Sequence, residues 1–391
     1  MGANSVPTIG SSREYDAIVV GARPAGSATA MLLGRAGQRV LLVDRSEYGS
    51  DTLSTHALLR GAVLQLHRWG LLDAIRHAGT PAIRRTHFHY GDDVVKIAIG
   101  EQHGVDAMYA PRRTVLDPVL VDAARAAGVE VVHGVRVGGL RRTAGGQVTG
   151  ITAQVDGRDA FADAALVVGA DGTGSTIARL VDAANSHCRT DSSAFIYGYF
   201  AGLAPDLYDW YFGPGVMAGV IPTNGDVANV LVGVPPARFA AVRGHGVDIA
   251  FRGGLRAAAP EIAAALQDSE PAGRLRSFPG RPGHLRRAHG PGWALVGDAG
   301  YFKDPITAHG ITDALRDAEL LARSLVTTGS AATYEATRDL LARPLLDATT
   351  SIASYEWDMA ELSELHSKLK AATDEEVSLL AALDATTHLA A

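Results

Sequence analysis

Three aspartates stand where a run of apolar residues gives way to glycine, and their type and spacing could do chemistry. Asp44 closes QRVLLVD, eighteen residues after Gly26 of GARPAG; Asp171 follows LVVGA and precedes Gly172; Asp298 follows WALVG. A carboxylate at such a strand end accepts hydrogen bonds from ligand hydroxyls, and neighbouring glycines let backbone come close. In the first motif Gly21 permits a tight turn and Gly26 lets helix and strand pack closely. The helix start there offers N–H groups and a positive dipole end to a pyrophosphate. Strand, turn, helix, strand and acid fall in the order of a dinucleotide-binding unit, although Arg23 occupies the middle position of G-x-G-x-x-G. That arginine either pairs with the phosphate or points to solvent.

The second block, ADGTGSTIAR, places Ser175 and Arg179 at the start of a helix, and its acid could equally be an ordinary cap. In the third, VGDAGYFKDPITAHGI, a helix begins near Gly310 and Ile311, where its N-terminus suits negative charge developing on a ligand. Lys303 in that loop is expected in solvent. His56, in SDTLSTHALLRG, titrates near neutral pH and could donate a proton or hold a substrate, or be a structural loop residue. Tyr197, Tyr199, Phe200, Trp210, Tyr211 and Phe212 form an aromatic set. Alternation sends Tyr197 and Tyr199 to one face of a strand and Phe200 to the other, and one such face could line an apolar pocket.

The elements that must position these residues read as α/β. YDAIVVGA and QRVLLVD are buried strands around the helix PAGSATAMLLGRAG, which Pro24 opens and Gly37 stops. RGAVLQLHRWGLLDAIRHAG has helical period; RRTHFHYGDDVVKIAIG is a hairpin turning at Gly91 and Asp92; TVLDPVLVDAARAAG is a helix. VEVVHG, VRVGGLRR, QVTGITAQV and DAALVVGADG are strands, and four more between about Ser193 and Val234 predict a second sheet. GWALVGDAG returns to the texture of the first lobe, which is therefore discontinuous. From Ile311 onward the chain is alanine- and leucine-rich helix with its break near Pro344.

The 391 residues allow two packed lobes, and a formal charge of −6 without a Lys/Arg block argues against nucleic acid or an anionic membrane as the main partner. Arginine supplies 32 of the basic residues and lysine four. Cys188 is the sole cysteine, which excludes an intramolecular disulfide and a cysteine zinc cluster, and no metal site is expected. The N-terminus lacks a signal-peptide pattern, and no apolar run reaches the roughly 18 residues of a membrane span. A cytoplasmic protein with a flexible tail before Tyr15 is expected.

Together, GARPAG, ADGTGS and VGDAGYFKDPITAHGI resemble the motifs of FAD-dependent monooxygenases whose FAD-binding domain is like that of para-hydroxybenzoate hydroxylase. Geranylgeranyl reductases and flavin-dependent halogenases are related to them. The resemblance runs from Tyr15 to about Leu325. It implies a Rossmann-like FAD-binding domain of the glutathione-reductase type over residues 14–80, 104–192 and 281–330. An inserted β-sheet substrate domain would take 81–103 and 193–280, and a C-terminal helical segment 331–391.

By the same resemblance Gly21, Ala25 and Gly26 hold the FAD pyrophosphate, as does Arg23 in branches written GAR.AG; Arg60 lies near it. Asp44 takes the adenosine ribose with Arg45 beside it, and Val137 lies on the strand that touches adenine. Arg113 faces FAD, Asp171 and Gly172 form the DG motif, and Asp298 holds the ribityl chain. Thr55, Pro305, Gly310 and Ile311 lie along the flavin. His56 is the catalytic candidate, with Tyr197, Tyr199 and Tyr211 lining the substrate pocket. The implied activity is oxygenation of an aromatic or hydrophobic small molecule, using NAD(P)H, O2 and a flavin C4a-hydroperoxide. A C=C reductase of the geranylgeranyl type is the alternative. A halogenase fits less well, because YDWYFGPG does not match W-x-W-x-I-P. A non-enzymatic flavin scaffold would have to leave all three motifs idle.

Overall fold

The computed structural model describes residues 8–11, 14–203 and 206–383. The flexible tail expected before Tyr15, and the end of segment 331–391, lie largely outside the described residues. Ala17, Ile18 and Val19 are fully buried, as a strand covered on both faces requires, and Glu14–Val20 is central in the first sheet. The order there is His289–Gly290, Trp293–Leu295, Arg158–Gly169, Glu14–Val20, Val40–Asp44, Glu130–His133. Glu14–Val20 pairs in parallel with Val40–Asp44 and with the second half of Arg158–Gly169. The first half of that long strand continues an antiparallel meander with Val135–Arg142 and Val148–Val155. Helices Pro24–Arg35, Arg113–Ala126 and Gly310–Thr328 pack together in the core on one face of the sheet.

The second sheet has seven strands: Arg276–Phe278, Ala194–Ala201, Val227–Val234, Val216–Thr223, Tyr208–Gly213, Arg85–Tyr90 and Asp93–Ala98. Its register decides which aromatics share a face. Tyr197 is aligned with Leu231, Leu231 with Gly219 and Gly219 with Trp210. Tyr197, Tyr199, Tyr208, Trp210 and Phe212 therefore lie on one face, packed with Ala57, Ile306, Ala308, Ile352 and Leu362. Phe200 takes the opposite face, as alternation predicts, where Phe239, Phe251 and Leu255 cover it.

Two helix boundaries differ from expectation. The helical period after Arg60 is broken at Gly70, whose φ of +73° ends Arg60–Arg68 before Leu72–His77 begins. Pro344 breaks nothing: it lies inside Ala332–Ala353, where buried Leu341, Ala342, Leu345 and Leu346 hold the helix across the missing hydrogen bond. The actual breaks are at Gly329, with φ +68°, and before Asp358, which opens Met359–Ala382 with a capping box.

Candidate active site

The aspartate motifs meet at one end of the first sheet because glycine removes the side chains that would hold them apart. A Cβ at Gly21, whose φ is +109°, would lie 2.4 Å from Ala170 O, on the backbone leading into Asp171. One at Gly26 would lie 1.8 Å from Gly21 O, and one at Gly297 would lie 2.9 Å from Ala25 Cβ. Gly297 also sits against Ala314, so the same glycine touches the first turn of Pro24–Arg35 and the second turn of Gly310–Thr328. Two helix N-termini thus flank one point.

Neither N-cap residue, Arg23 or His309, closes its helix with a side-chain hydrogen bond. The first-turn N–H groups and both positive dipole ends suit anionic groups. Asp298, half-buried beside them, has no hydrogen bond to its carboxylate among the described residues. Burial, reinforced by nearby Asp313, pushes its pKa up to about 7, against the pull of Lys303 and Arg113. A carboxylate free to accept from ribityl hydroxyls, beside helix-start N–H groups free to donate to phosphate, is the combination a polyol phosphate needs, so these residues fit an FAD.

The other two acids are engaged locally. Asp44 accepts from the Ala22 and Ser46 N–H groups, both at 2.6 Å, and each oxygen keeps a lone pair for a hydroxyl. Arg45 beside it is exposed. Asp171 accepts from Ser175 Oγ at 2.5 Å and from Thr176 N at 2.6 Å, which caps the short helix Thr176–Leu180. Gly172, with φ +79°, turns the chain between them. Val137 lines a surface cleft with Gly138, Thr152 and Phe161. Pro305 opens a turn capped by Asp304, which receives the Ile306 N–H at 2.9 Å and leads to Gly310 and Ile311.

The arginines are placed by carboxylates and carbonyls. Asp117 is 2.6 Å from Arg23 Nη1 and 2.8 Å from Arg113 Nε, and Arg23 Nη1 also donates to Ser50 O at 2.7 Å. Arg23 is therefore neither free in solvent nor free to turn: the buried acid four residues after Arg113 holds it. Arg60 donates to Val105 O and Gly100 O at 3.0 and 2.9 Å, toward the segment after the hairpin.

On the aromatic face of the second sheet a polar cluster meets loop 51–58. Ser54 N donates to Tyr197 Oη at 3.1 Å, and Asn229 Nδ2 reaches the carbonyls of Ser54 and Thr55 at 3.5 and 3.4 Å. His56 is fully buried at φ +68°, and its Nε2 is hydrogen-bonded with the Tyr199 hydroxyl. Its Nδ1 has no partner. Burial, with Arg113, Arg112 and Arg276 adding positive potential, holds the His56 pKa well below its ordinary value, and burial raises that of Tyr199. Both are neutral at physiological pH. Arg112 lies 3.7 Å from the centre of the Tyr199 ring, and Arg112 and Arg276 reach the same Asp51 oxygen at 3.5 and 2.9 Å.

Tyr211 does not join this cluster. Register sends it to the helix-covered face, where it bonds Asp209 at 2.7 Å and stacks on His89. Lys303 is likewise not in solvent: it is buried and paired with Asp313. Asp313 also receives Arg316 at 2.9 Å; Arg316 reaches Asp317 at 2.8 Å and Glu376 at 2.7 Å; Glu376 receives His309 at 2.7 Å. Burial would raise the Glu376 pKa, but His309, Arg316 and Lys303 together hold it at about 2. This cluster ties Met359–Ala382 to the start of Gly310–Thr328. Sequence reasoning passed over Asp51, Arg112, Arg276, His309 and Glu376, since their partners are distant and no local spacing marks them.

These features fit a flavoprotein, and the family comparison agrees. The family model described as "FAD binding domain" matches residues 14–349, and the chain belongs to that family. Among curated relatives, it is 28% identical over 318 residues to digeranylgeranylglycerophospholipid reductase of Methanosarcina mazei, covering 77% of this chain and 72% of that protein. It is 29% identical over 343 residues to menaquinone reductase of Mycolicibacterium smegmatis, covering 82% and 78%. Among solved structures, the flavin-dependent brominase Bmp2 aligns with a TM-score of 0.75 at 20% identity, covering 94% of this chain and 93% of that one. PqsL, a probable FAD-dependent monooxygenase from Pseudomonas aeruginosa, aligns at 0.71 and 20%, covering 92% and 100%. At that identity the structural likeness shows the fold.

Proposed function

We propose that this FAD-family oxidoreductase reduces a carbon–carbon double bond in a hydrophobic substrate, with NAD(P)H as electron donor. The observation that carries the reading is the apolar aromatic face ending on the buried, neutral His56–Tyr199 pair. Bound FAD supplies hydride transfer. Gly21, Ala25, Gly26 and the helix start would bind its pyrophosphate, with Arg60 and Arg113 nearby. Asp44, beside Arg45, would bind the ribose; Val137 would meet adenine; and Asp171, Gly172 and Asp298 would meet the ribityl side. Thr55, Pro305, Gly310 and Ile311 would line the ring. Tyr197 and Tyr199 hold the substrate's apolar body and exclude water, and the Tyr199 hydroxyl, backed by His56, delivers a proton to carbon. Curated relatives matched over about three quarters of both chains are named as reductases, which supports this choice over the oxygenation expected at first.

Oxygenation with NAD(P)H and O2 is the second reading. Arg112 and Arg276 share the single carboxylate of Asp51, an arrangement that favours a small aromatic acid over a neutral isoprenoid. A cytoplasmic location is part of both readings; among the described residues no helix is long and apolar enough to cross a membrane.

The test is NAD(P)H oxidation by FAD-loaded protein with polyprenyl and phenolic substrates, in air and under nitrogen, with labelled O2. Anaerobic turnover to a product two hydrogens heavier supports reduction. Label in the product, with no turnover under nitrogen, assigns the second reading. Protein that takes up no FAD overturns both.

A further inference from the structure

The strand Arg85–Tyr90 carries His87 and His89 two residues apart, and alternation puts both imidazoles on one face. Its parallel partner Tyr208–Gly213 aligns Asp209 with His87 and Tyr211 with His89. Two imidazoles and a carboxylate, from segments 120 residues apart in sequence, thus share one patch of the second sheet. The patch lies on the helix-covered face, opposite the Tyr197–Tyr199 face, so the flavin reading leaves it unused.

We propose that His87, His89 and Asp209 form a binding site for a divalent transition-metal ion of the zinc type. This departs from the expectation that the chain has no metal site; the single cysteine excluded only a cysteine zinc cluster. The three ligand atoms all lie within 4.8 Å of one another, and His89 Nε2 is 2.7 Å from Asp209 Oδ1. Ligand atoms on a tetrahedral zinc are about 3.3 Å apart, given bonds of about 2.0–2.1 Å. The hydrogen bond therefore occupies the space that an ion would take, and a rotation of the His87 side chain closes the triad. Imidazole and carboxylate together select zinc, nickel, cobalt or copper over magnesium or calcium, which take all-oxygen shells.

Two ligands are already oriented from outside. Tyr211 Oη donates to the second Asp209 oxygen at 2.7 Å, and the His89 ring lies stacked on Tyr211, centroids 4.1 Å apart and planes 15° apart. Such outer contacts commonly aim the ligands of protein metal sites. The three ligands are half-buried, which leaves a path for the ion and a coordination position for water. Lys96, aligned with His87 on the hairpin partner, and Arg85 oppose the ion's charge, and Glu261 near Tyr211 favours it. A second group, His309, Asp313 and Glu376, also has ligand spacing, but Lys303 and Arg316 already supply its cations. An ion at the first group would clamp the hairpin strand to the rest of the sheet.

The experiment is a titration of the full, tag-free chain with Zn2+ by calorimetry and with Co2+ by visible absorption. His87→Ala and Asp209→Asn are compared with wild type, and near-UV circular dichroism confirms that each variant is folded. We expect one equivalent bound by wild type, a cobalt d–d band, and at least tenfold weaker binding in each folded variant. If His87→Ala does not fold, Asp209→Asn alone carries the comparison, because it keeps the shape of the residue. Wild type that binds no stoichiometric Zn2+, or binding that folded variants retain unchanged, overturns the proposal.

Discussion

His56 and Tyr199, 143 residues apart in the chain, share a buried hydrogen bond between the imidazole Nε2 and the phenol oxygen. Burial, reinforced by three nearby arginines, keeps His56 neutral, and its other nitrogen is left without a partner. The backbone accepts a left-handed residue there, at φ +68°, a conformation that costs a bulky side chain energy. Cost of this kind is concentrated where a side chain must be aimed.

Tyr199→Phe is expected to lower kcat by about 100-fold, in the range for loss of a positioned proton donor, with a smaller change in KM. It also leaves both His56 nitrogens unpaired, at about 1–3 kcal/mol of stability. Steady-state kinetics at several pH values, beside a denaturant melt, distinguish the two effects. A kcat within twofold of wild type removes the pair from the chemistry.

Gly26→Ala forces a methyl group to within 1.8 Å of Gly21 O. Overpacking of this kind costs roughly 1–3 kcal/mol or more, and here it also spreads the turn under the proposed pyrophosphate site. Thermal unfolding and FAD content after gel filtration are both expected to fall. Gly174→Ala, which adds a methyl into open space, is the control, with a change inside about 0.5 kcal/mol.

Arg23→Gly removes one of the two guanidinium groups on Asp117 and frees the loop at Ser50. Arg113 remains on the same carboxylate, so the expected loss is about 1 kcal/mol, with FAD affinity within about threefold, or 0.65 kcal/mol. A tenfold weaker FAD complex by fluorescence quenching would show that the arginine contacts the cofactor after all.

Glu376→Leu leaves the fully buried Arg316 and His309 without their shared acid. Breaking a buried pair from one side costs about 3–5 kcal/mol. Because Glu376 lies on Met359–Ala382, that helix is expected to undock first. Amide exchange should accelerate there and at the start of Gly310–Thr328 before the central strands exchange. Uniform acceleration across the molecule would contradict a local role.

His366 is held at about 4 by burial against the ordinary 6.5. Between those values the unfolded chain binds more protons than the folded one, so His366 withdraws stability as pH falls from about 6.5 to 4. Asp298 and Asp304, both raised to about 7 by burial, act in the opposite sense as pH falls, so a difference measurement is needed. Relative to wild type, His366→Gln should gain about 2 kcal/mol between pH 7 and 4.5. Parallel urea curves over that range would refute the assignment.

Much of this molecule is legible along the chain. Apolar runs of strand length, glycines at turns and acids at strand ends are local signals, set by backbone sterics and side-chain period. They define the α/β class, the two sheets and the three motifs. Which face Tyr211 presents depended on register across four strands, because alternation orients residues within a strand but not one strand against another. Pro344 passed through a helix because packing on both sides outweighed one hydrogen bond. Arg23 found Asp117 at 94 residues' distance, and Lys303 found Asp313 in a buried cluster completed by Glu376. Such pairings arise only when tertiary packing excludes water and makes an unpaired charge too costly to leave alone, and no spacing within one segment records them.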